Sequence, residues 1–559
     1  MKRWTIFLLS FGLLCMACKT LTIPFQSPTA IPANTLVVPA DTSEPIASSV
    51  PPTQKPVMIT DMKERLKELG GTPCEQRLLL TCVTITVPLN HFDSANTETI
   101  DVVFAVAPAR GERKGMYVQA FPGGPGGEGI SSAWLDVFSP EIKEQYDLVF
   151  YDQRGIGLSN PLECKTAYAS YFLNYLNTDD SIGDEGYDTP EEQQTAIQNA
   201  KSFVDECVTE IGIDPSKLPF FVTNQVAEDI ESFRQAIGDD KFMLYGVSYG
   251  TSVAQAYART HSEHLNGLIL NGTQDTTLTG NEIAFSQWEA MNEVLLEVFK
   301  ACDANSNCSR GLEGGAQAAY DELAQKLSIA PIAYDYPLSA GQKVNRFFTL
   351  NMLDFTTYFQ LYSPNSRMEL MRALADAKAG DMLPLVRLFY DDASINARTE
   401  KYQGDPNFSD TMYYIVWCSD DAYYSGTSEE RSAKLLEEGQ KLNGLIPRVD
   451  LDVIYLGLTC AYWPSAPTSP SLREPLKAEG VPTFVLNATL DPATPFHEGK
   501  TVFENLDNGY HLYVEGGPHG IFGWGFRCPD KYIEEFLLDG TLPEQREIVC
   551  DWGDAVIWQ

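Results

Sequence analysis

Basic residues are the minority charge in this chain: 40 Lys and Arg stand against 76 Asp and Glu, for a formal net charge of −36. A surface this acidic repels phosphate backbones and anionic head groups, so nucleic acid is not expected as a partner. The body of the chain also lacks any run of about 18 apolar residues, and no membrane-spanning helix is expected there. It shows no internal repeat, and no group of Cys and His has the spacing of a zinc site, so no metal is expected. Histidine is scarce, with six in 559 residues. Chemistry that needs an imidazole therefore has few candidates. What the chain does hold is core-forming material, 44% hydrophobic and 11% aromatic, which is too rich for a disordered polypeptide. Its length allows one large domain with an insertion, or two to three smaller ones.

The amino terminus reads as an export signal. Lys2 and Arg3 precede an apolar stretch over residues 6–16 that only Ser10 and Gly12 interrupt, a length that suits a signal-peptide core. Ala17-Cys18 resembles a bacterial lipobox, although Cys15 occupies the position where Leu is usual. The expectation is a signal peptide over residues 1–17, a lipidated Cys18, and a Pro/Thr/Ser-rich tether over 18–60 that cannot bury enough apolar surface to fold. An ordinary cleaved signal is the alternative. Either way the protein is expected outside the cytoplasm, at the cell surface or in the periplasm, and lipidation would anchor it to a bacterial membrane. Of the 12 cysteines, Cys15 would leave with the signal and Cys18 would carry lipid. The remaining Cys74, Cys82, Cys164, Cys207, Cys302, Cys308, Cys418, Cys460, Cys528 and Cys550 suggest five disulfides in an oxidising compartment. Pairing neighbours in sequence order is the simplest connectivity, one that sequence alone does not prove.

Along the body, residues 83–89 (VTITVPL) and 99–107 (TIDVVFAVA) read as opening strands, and 116–121 and 146–151 as buried strands of a parallel sheet. Residues 224–237 place Val226, Ile230, Phe233 and Ile237 on one helical face, with Gly238 as the stop. A strand at 242–245, a helix at 251–259 and a strand at 265–270 follow. The rhythm resumes at 482–486 and 510–514, with a last helix near 531–538. This alternation predicts a doubly wound α/β sheet. Residues 276–474 lack it and read as an inserted, mainly helical cap between core parts at 61–275 and 475–559.

Gly246-Val247-Ser248-Tyr249-Gly250 is a G-x-S-x-G between an apolar strand and a helix. That turn lifts a serine oxygen above a sheet, and glycines tolerate its crowding. Ser248 is thus the candidate nucleophile. Its base must follow it in the order Ser, acid, His. His91 precedes it, His261 and His264 sit at the end of the next helix, and His511 begins a strand. His519, in the glycine-rich loop Gly516-Gly517-Pro518-His519-Gly520, is the candidate base, and His497 reads as flanking the site. Asp491, in a Pro-braced turn 28 residues earlier, is the candidate acid, holding the imidazole's tautomer. The backbone N–H groups of Tyr249 and of Gly124, in Gly123-Gly124-Pro125-Gly126-Gly127, are the candidate oxyanion donors.

Taken together, PGGPGG at 122–127, YDQRGIGLS at 151–159, GVSYGT at 246–251, LDPATP at 490–495 and GGPHG at 516–520 resemble the prolyl and tripeptidyl aminopeptidase branch of the α/β-hydrolases. The tail 528–550, with DGTLPEQREIVC, resembles the tripeptidyl aminopeptidase-like members. The resemblance implies an α/β-hydrolase fold and a cofactor-free serine exopeptidase acting on peptides, with Ser248, Asp491 and His519 as triad. The chain departs from the pattern at Pro122, where prolyl iminopeptidases have His, at Pro518, and at Asn271, where Asp is common. An esterase of the same fold is the alternative reading, and a non-catalytic peptide-binding lipoprotein a more distant one. An aminopeptidase must also hold a free α-ammonium group. Glu282, Glu289 and Glu293, or Asp420 and Asp421, are weak candidates, since the three glutamates lie at helical spacing and also read as a solvated face. Asp152 and Arg154 are expected to form a buried structural ion pair.

Overall fold

The computed structural model describes residues 61–559 except 121–122, 134, 178–188, 340, 421–423, 443–444, 450–452, 465–472, 526, 552–555 and 557–559. The expected signal peptide, Cys18 and the tether lie outside the described residues, as does Asp421.

The strands are β1 (Thr72–Pro73), β2 (Thr81–Pro88), β3 (Thr99–Ala107), β4 (Gly115–Ala120), β5 (Tyr146–Asp152), β6 (Phe242–Val247), β7 (Leu265–Asn271), β8 (Ile332–Ser339), β9 (Gln342–Phe348), β10 (Ile395–Asn396), β11 (Lys401–Tyr402), β12 (Thr483–Ala488), β13 (Gly509–Val514) and β14 (Glu547–Cys550). Ten of them form one sheet in the order β1-β2-β3-β5-β4-β6-β7-β12-β13-β14. β1, β2, β3 and β5 pair antiparallel along the order, and from β5 to β14 every pairing is parallel. Strands covered on both faces must be apolar nearly throughout, and β4, β5 and β12 are buried at every position. Because the central strands run the same way, the loops that leave β4, β6, β12 and β13 open on one edge of the sheet, where α/β sites form.

The helix Thr223–Ile237 covers one face. Val226, Ile230, Phe233 and Ile237 are buried at its helical spacing, and Gly238 ends it in the left-handed region with φ 95°. Phe233 stacks on Phe104 of β3 with ring centroids 4.1 Å apart.

Among the described residues between β7 and β12, no strand joins the ten-stranded sheet; β8–β9 and β10–β11 are separate hairpins. Helices dominate this stretch, and Leu353, Met371, Leu385 and Phe389 belong to its own core. Two helices that precede β6 in the chain pack with it. From Lys165–Asn177, Phe172 packs on Phe355 at 5.2 Å, and the Leu176 carbonyl accepts from the Thr349 hydroxyl at 2.8 Å. From Pro190–Ile211, Ala196 and Ala200 pack with Leu435, Leu436 and Leu458. Sequence rhythm assigns these helices to the sheet part because it reads chain order, and their apolar faces find partners far along the chain.

Five disulfides join neighbours in sequence: Cys74–Cys82, Cys164–Cys207, Cys302–Cys308, Cys418–Cys460 and Cys528–Cys550. The expected Asp152–Arg154 pair is not formed. Arg154, fully buried, donates instead to Asp229 at 2.8 and 2.5 Å and to the carbonyls of Leu89 and Phe220. Asp152 accepts the backbone N–H groups of Ile130 and Leu158. The guanidinium reaches a carboxylate on a helix 75 residues away, whereas the adjacent aspartate satisfies the turn around it.

Candidate active site

β6 ends at Val247, and Ser248 turns the chain into the helix Tyr249–His261. Ser248 has φ 55° and ψ −129°, a region that a residue with a Cβ adopts only when its surroundings hold it there. Its N–H donates to the Asn271 carbonyl at 3.0 Å, and its carbonyl accepts the Thr251 hydroxyl at 2.7 Å. The flanking glycine is sterically required, because a Cβ on Gly246 would lie 2.3 Å from the Gly250 carbonyl oxygen.

His519 follows β13, and Asp491 follows β12. His519 Nδ1 lies 2.9 Å from each oxygen of the Asp491 carboxylate. Asp491 is 1% exposed and also accepts from the N–H groups of Ala493 and Thr494 and the Thr494 hydroxyl, each at 2.9 Å. Burial opposes its ionisation, but His519 and these donors outweigh that cost and hold the carboxyl below its ordinary value. Asn271 ties the two loops together: its carbonyl holds Ser248, its side-chain oxygen accepts the Ile521 N–H at 2.8 Å, and its amide donates to the Tyr245 hydroxyl at 2.9 Å. Asn serves here where Asp is common because the site asks for both a donor and an acceptor. Among the described residues no hydrogen bond joins Ser248 Oγ to His519, a looseness common in substrate-free sites.

The glycine loop after β4 lies against the nucleophile. A Cβ on Gly123 would stand 2.8 Å from Ser248 Oγ, and Gly124 and Gly126 have φ of 118° and 126°. Residues 407–409 press on this loop: the Ser409 N–H donates to the Gly126 carbonyl at 2.8 Å, the Glu128 N–H donates to the Asn407 carbonyl at 2.7 Å, and the Phe408 ring lies 2.8 Å from where a Gly124 Cβ would be. The backbone beside Ser248 is thus clamped by the insert.

Ser248, His519, Gly124 and Tyr249 line a cavity of about 910 Å³ whose far walls come from the insert and the helix Lys165–Asn177. Aromatic rings dominate that wall, including Tyr168, Phe355, Tyr362, Tyr413 and Trp417.

Comparison with known proteins places these features in two matched regions. The alpha/beta hydrolase fold family matches residues 120–308, which carry the glycine loop and Ser248, and a family described as TAP-like protein matches 448–550, which carry Asp491 and His519. This chain has the α/β-hydrolase fold. The hydrolase is 28% identical over 475 residues to serine protease Hip1 of Mycobacterium tuberculosis, covering 83% of this chain and 86% of that protein. It is 22% identical over 502 residues to tripeptidyl aminopeptidase of Streptomyces lividans, covering 84% and 83%. It is also 28% identical over 480 residues to carboxylesterase B of M. tuberculosis, covering 83% and 85%.

Of the carboxylates read from sequence as amine ligands, only Asp420 lines the cavity among the described residues. Thr223 donates its N–H to both Asp420 oxygens at 3.3 Å, and the Thr223 hydroxyl bonds the Tyr249 hydroxyl at 2.6 Å. Burial pushes the Asp420 carboxyl up to about 6, against Thr223 and Arg473. Glu282, Glu289 and Glu293 are exposed and do not line the cavity. Glu282 closes a capping box with Thr279 at the start of the helix Gly280–Ala304, and Trp288 and Met291 turn the opposite face inward. Asp392, Asp405 and Asp410 line the cavity and were not foreseen. Burial raises Asp410 to about 6 and Asp392 to about 7; Asp410 accepts from the Tyr402 hydroxyl, and Asp392 from the Gln360 amide at 3.0 Å. No local pattern marks them, since tertiary packing is what brings each of them to the cavity wall. His497 is exposed on the outer side of this region, where its Nε2 lies 3.0 Å from Ser286 Oγ.

Proposed function

We propose that this hydrolase is an exported serine aminopeptidase that releases residues or short peptides from the amino termini of peptides. Ser248 attacks the scissile carbonyl while His519 takes its proton and then delivers it to the leaving amine, with Asp491 orienting the imidazole. The N–H groups of Gly124 and Tyr249 receive the developing oxyanion. Water then repeats the sequence on the acyl-enzyme. The observation that carries this reading is the His519–Asp491 contact at 2.9 Å opening onto the same cavity as the strained Ser248. The relatives named serine protease and tripeptidyl aminopeptidase support the peptide-bond assignment.

Residues 276–474 act as a cap that excludes folded proteins and admits chain ends. The α-ammonium group is received by one of three half-buried carboxylates on the cavity wall, Asp420, Asp392 or Asp410. Burial disfavours the ionised form of each, and an arriving ammonium stabilises that form as the proton leaves. Export, a cleaved signal over 1–17 and lipidation of Cys18 complete the reading. Five disulfides support an oxidising compartment, and no described helix is long and apolar enough to cross a membrane.

Ester hydrolysis is the second reading, favoured by the aromatic cavity wall and the carboxylesterase B relative. Paired tripeptide anilides, one with a free and one with an acetylated amino terminus, separate the two. The aminopeptidase reading expects acetylation to abolish most cleavage; equal rates on both substrates, with faster turnover of simple esters, overturn it.

A further inference from the structure

Among the described residues, the exposed large apolar side chains that line the catalytic cavity are Phe359 and Trp524, 38% and 47% exposed. A single exposed ring on an open surface is ordinary, but two rings on one cavity wall, both tied to the same histidine, form a binding surface. Trp524 is tied to His519 by the chain, which it follows by five residues in the loop after β13. Phe359 is tied to it by packing. Its ring stacks on Tyr362 with planes 16° apart and centroids 6.2 Å apart, and Tyr362 stands edge-on to the imidazole at 5.3 Å.

The loop is pinned on both sides of the indole. Gly523 and Gly525 flank Trp524 with φ of 89° and 80°. Both of their N–H groups donate to the Asp530 carboxylate, that of Gly523 at 3.0 Å. One residue before them, Phe522 is buried against Tyr245 with ring centroids 5.8 Å apart. The direction of the chemistry decides what meets these rings. In the reading proposed above, whose triad roles carry this inference, His519 gives its proton to the leaving nitrogen, so the leaving peptide departs along the His519 side of the cavity. Trp524 and Phe359 therefore face the residues after the scissile bond, while the acyl part stays on Ser248. Aromatic side chains offer a large, rigid contact to an apolar side chain, and such a contact discriminates against a small residue by roughly 10-fold or more.

We propose that Trp524 and Phe359 form the leaving-side subsite and select peptides whose first residue after the cleaved bond carries a large apolar side chain. An amine that attacks the acyl-enzyme takes the leaving group's place in reverse. Its nitrogen bonds the acyl carbon, the bond from that carbon to Ser248 Oγ breaks, and the nitrogen's proton passes through His519 to Oγ. Full-length protein is acylated with a tripeptide p-nitrophenyl ester in the presence of phenylalanine amide or glycine amide, and the ratio of amide product to free acid is measured. The ratio reports the acceptor alone, because every acceptor meets the same acyl-enzyme. The parent should capture phenylalanine amide about 10-fold better than glycine amide at equal concentration. Trp524→Ala and Phe359→Ala should each cut that preference about 3-fold or more, and Trp524→Phe should restore most of it. Trp524→Gln and Phe359→Gln take their place where an alanine variant does not fold. Equal capture of the two amides by the parent, no amide product from either, or an unchanged preference in the variant at either position overturns the proposal. An ester donor keeps the ratio readable even if acetylation of the amino terminus leaves cleavage unchanged, a result that would overturn only the aminopeptidase reading.

Discussion

Tyr362 holds His519 twice: the His519 N–H donates to the Tyr362 carbonyl at 2.8 Å, and the Tyr362 ring stands edge-on to the imidazole at 5.3 Å. Tyr362 belongs to the insert, just past the helix Leu350–Gln360, so the insert supports the candidate base as well as roofing the cavity. Removing the ring leaves the backbone bond but frees the imidazole to rotate. Tyr362→Ala should lower kcat roughly 10- to 100-fold, the scale of a small misplacement at a reacting group. Tyr362→Phe keeps the edge contact and should stay near the parent value. Steady-state kinetics on one anilide substrate check both.

Arg367 extends this support. Fully buried, it donates to the carbonyls of Leu361 at 2.8 Å, Leu490 at 2.6 Å and Val556 at 3.2 Å, which fixes the residue before Asp491 relative to the residue before Tyr362. Burial pulls its guanidinium down to about 10, against Asp491. Arg367→Met strands these carbonyls and should cost roughly 2–4 kcal/mol in urea unfolding, with a parallel fall in kcat. Arg367→Lys lacks the planar fork and should recover little of either.

His511 gives the fold a pH dependence of its own. It is fully buried in β13, packed on Phe496 and Phe503 at 5.3 Å each, and neither ring nitrogen has a hydrogen-bond partner among the described residues. Burial, aided by Lys500, pushes it down to about 4 from an ordinary 6.5. Between those values the unfolded chain binds a proton that the folded chain refuses, so stability falls as pH drops from 6.5 toward 4. The difference integrates to about 3 kcal/mol. Buried carboxylates such as Glu498, raised to about 8 by burial, act in the opposite sense. The contribution is therefore read as a difference: urea unfolding at pH 7 and pH 4.5 should show His511→Phe losing less stability than the parent protein.

Much of the sheet was legible because each parallel strand carries its own apolar run and each motif sits at a strand's end. Gly246 to Gly250 could be read as an elbow from the strand before it and the helix after it, and the order Ser248, Asp491, His519 left one histidine in a suitable loop. The wall opposite the triad was not legible. Asp392 and Asp410 reach the cavity only through packing of the insert, and Glu282, whose helical spacing also reads as a solvated face, is a helix cap that Thr279, three residues earlier, marks. Arg154 shows the same limit, since its carboxylate partner stands 75 residues away.

The central claim is that Ser248 is the nucleophile of an enzyme that reads a free amino terminus. The most direct measurement is turnover of a free-amine tripeptide anilide by the parent protein and by Ser248→Ala, with fluorophosphonate labelling of both. The account predicts that the parent turns over and is labelled once, at Ser248, while folded Ser248→Ala does neither. Turnover by Ser248→Ala at the parent rate, or labelling at another residue, would contradict it.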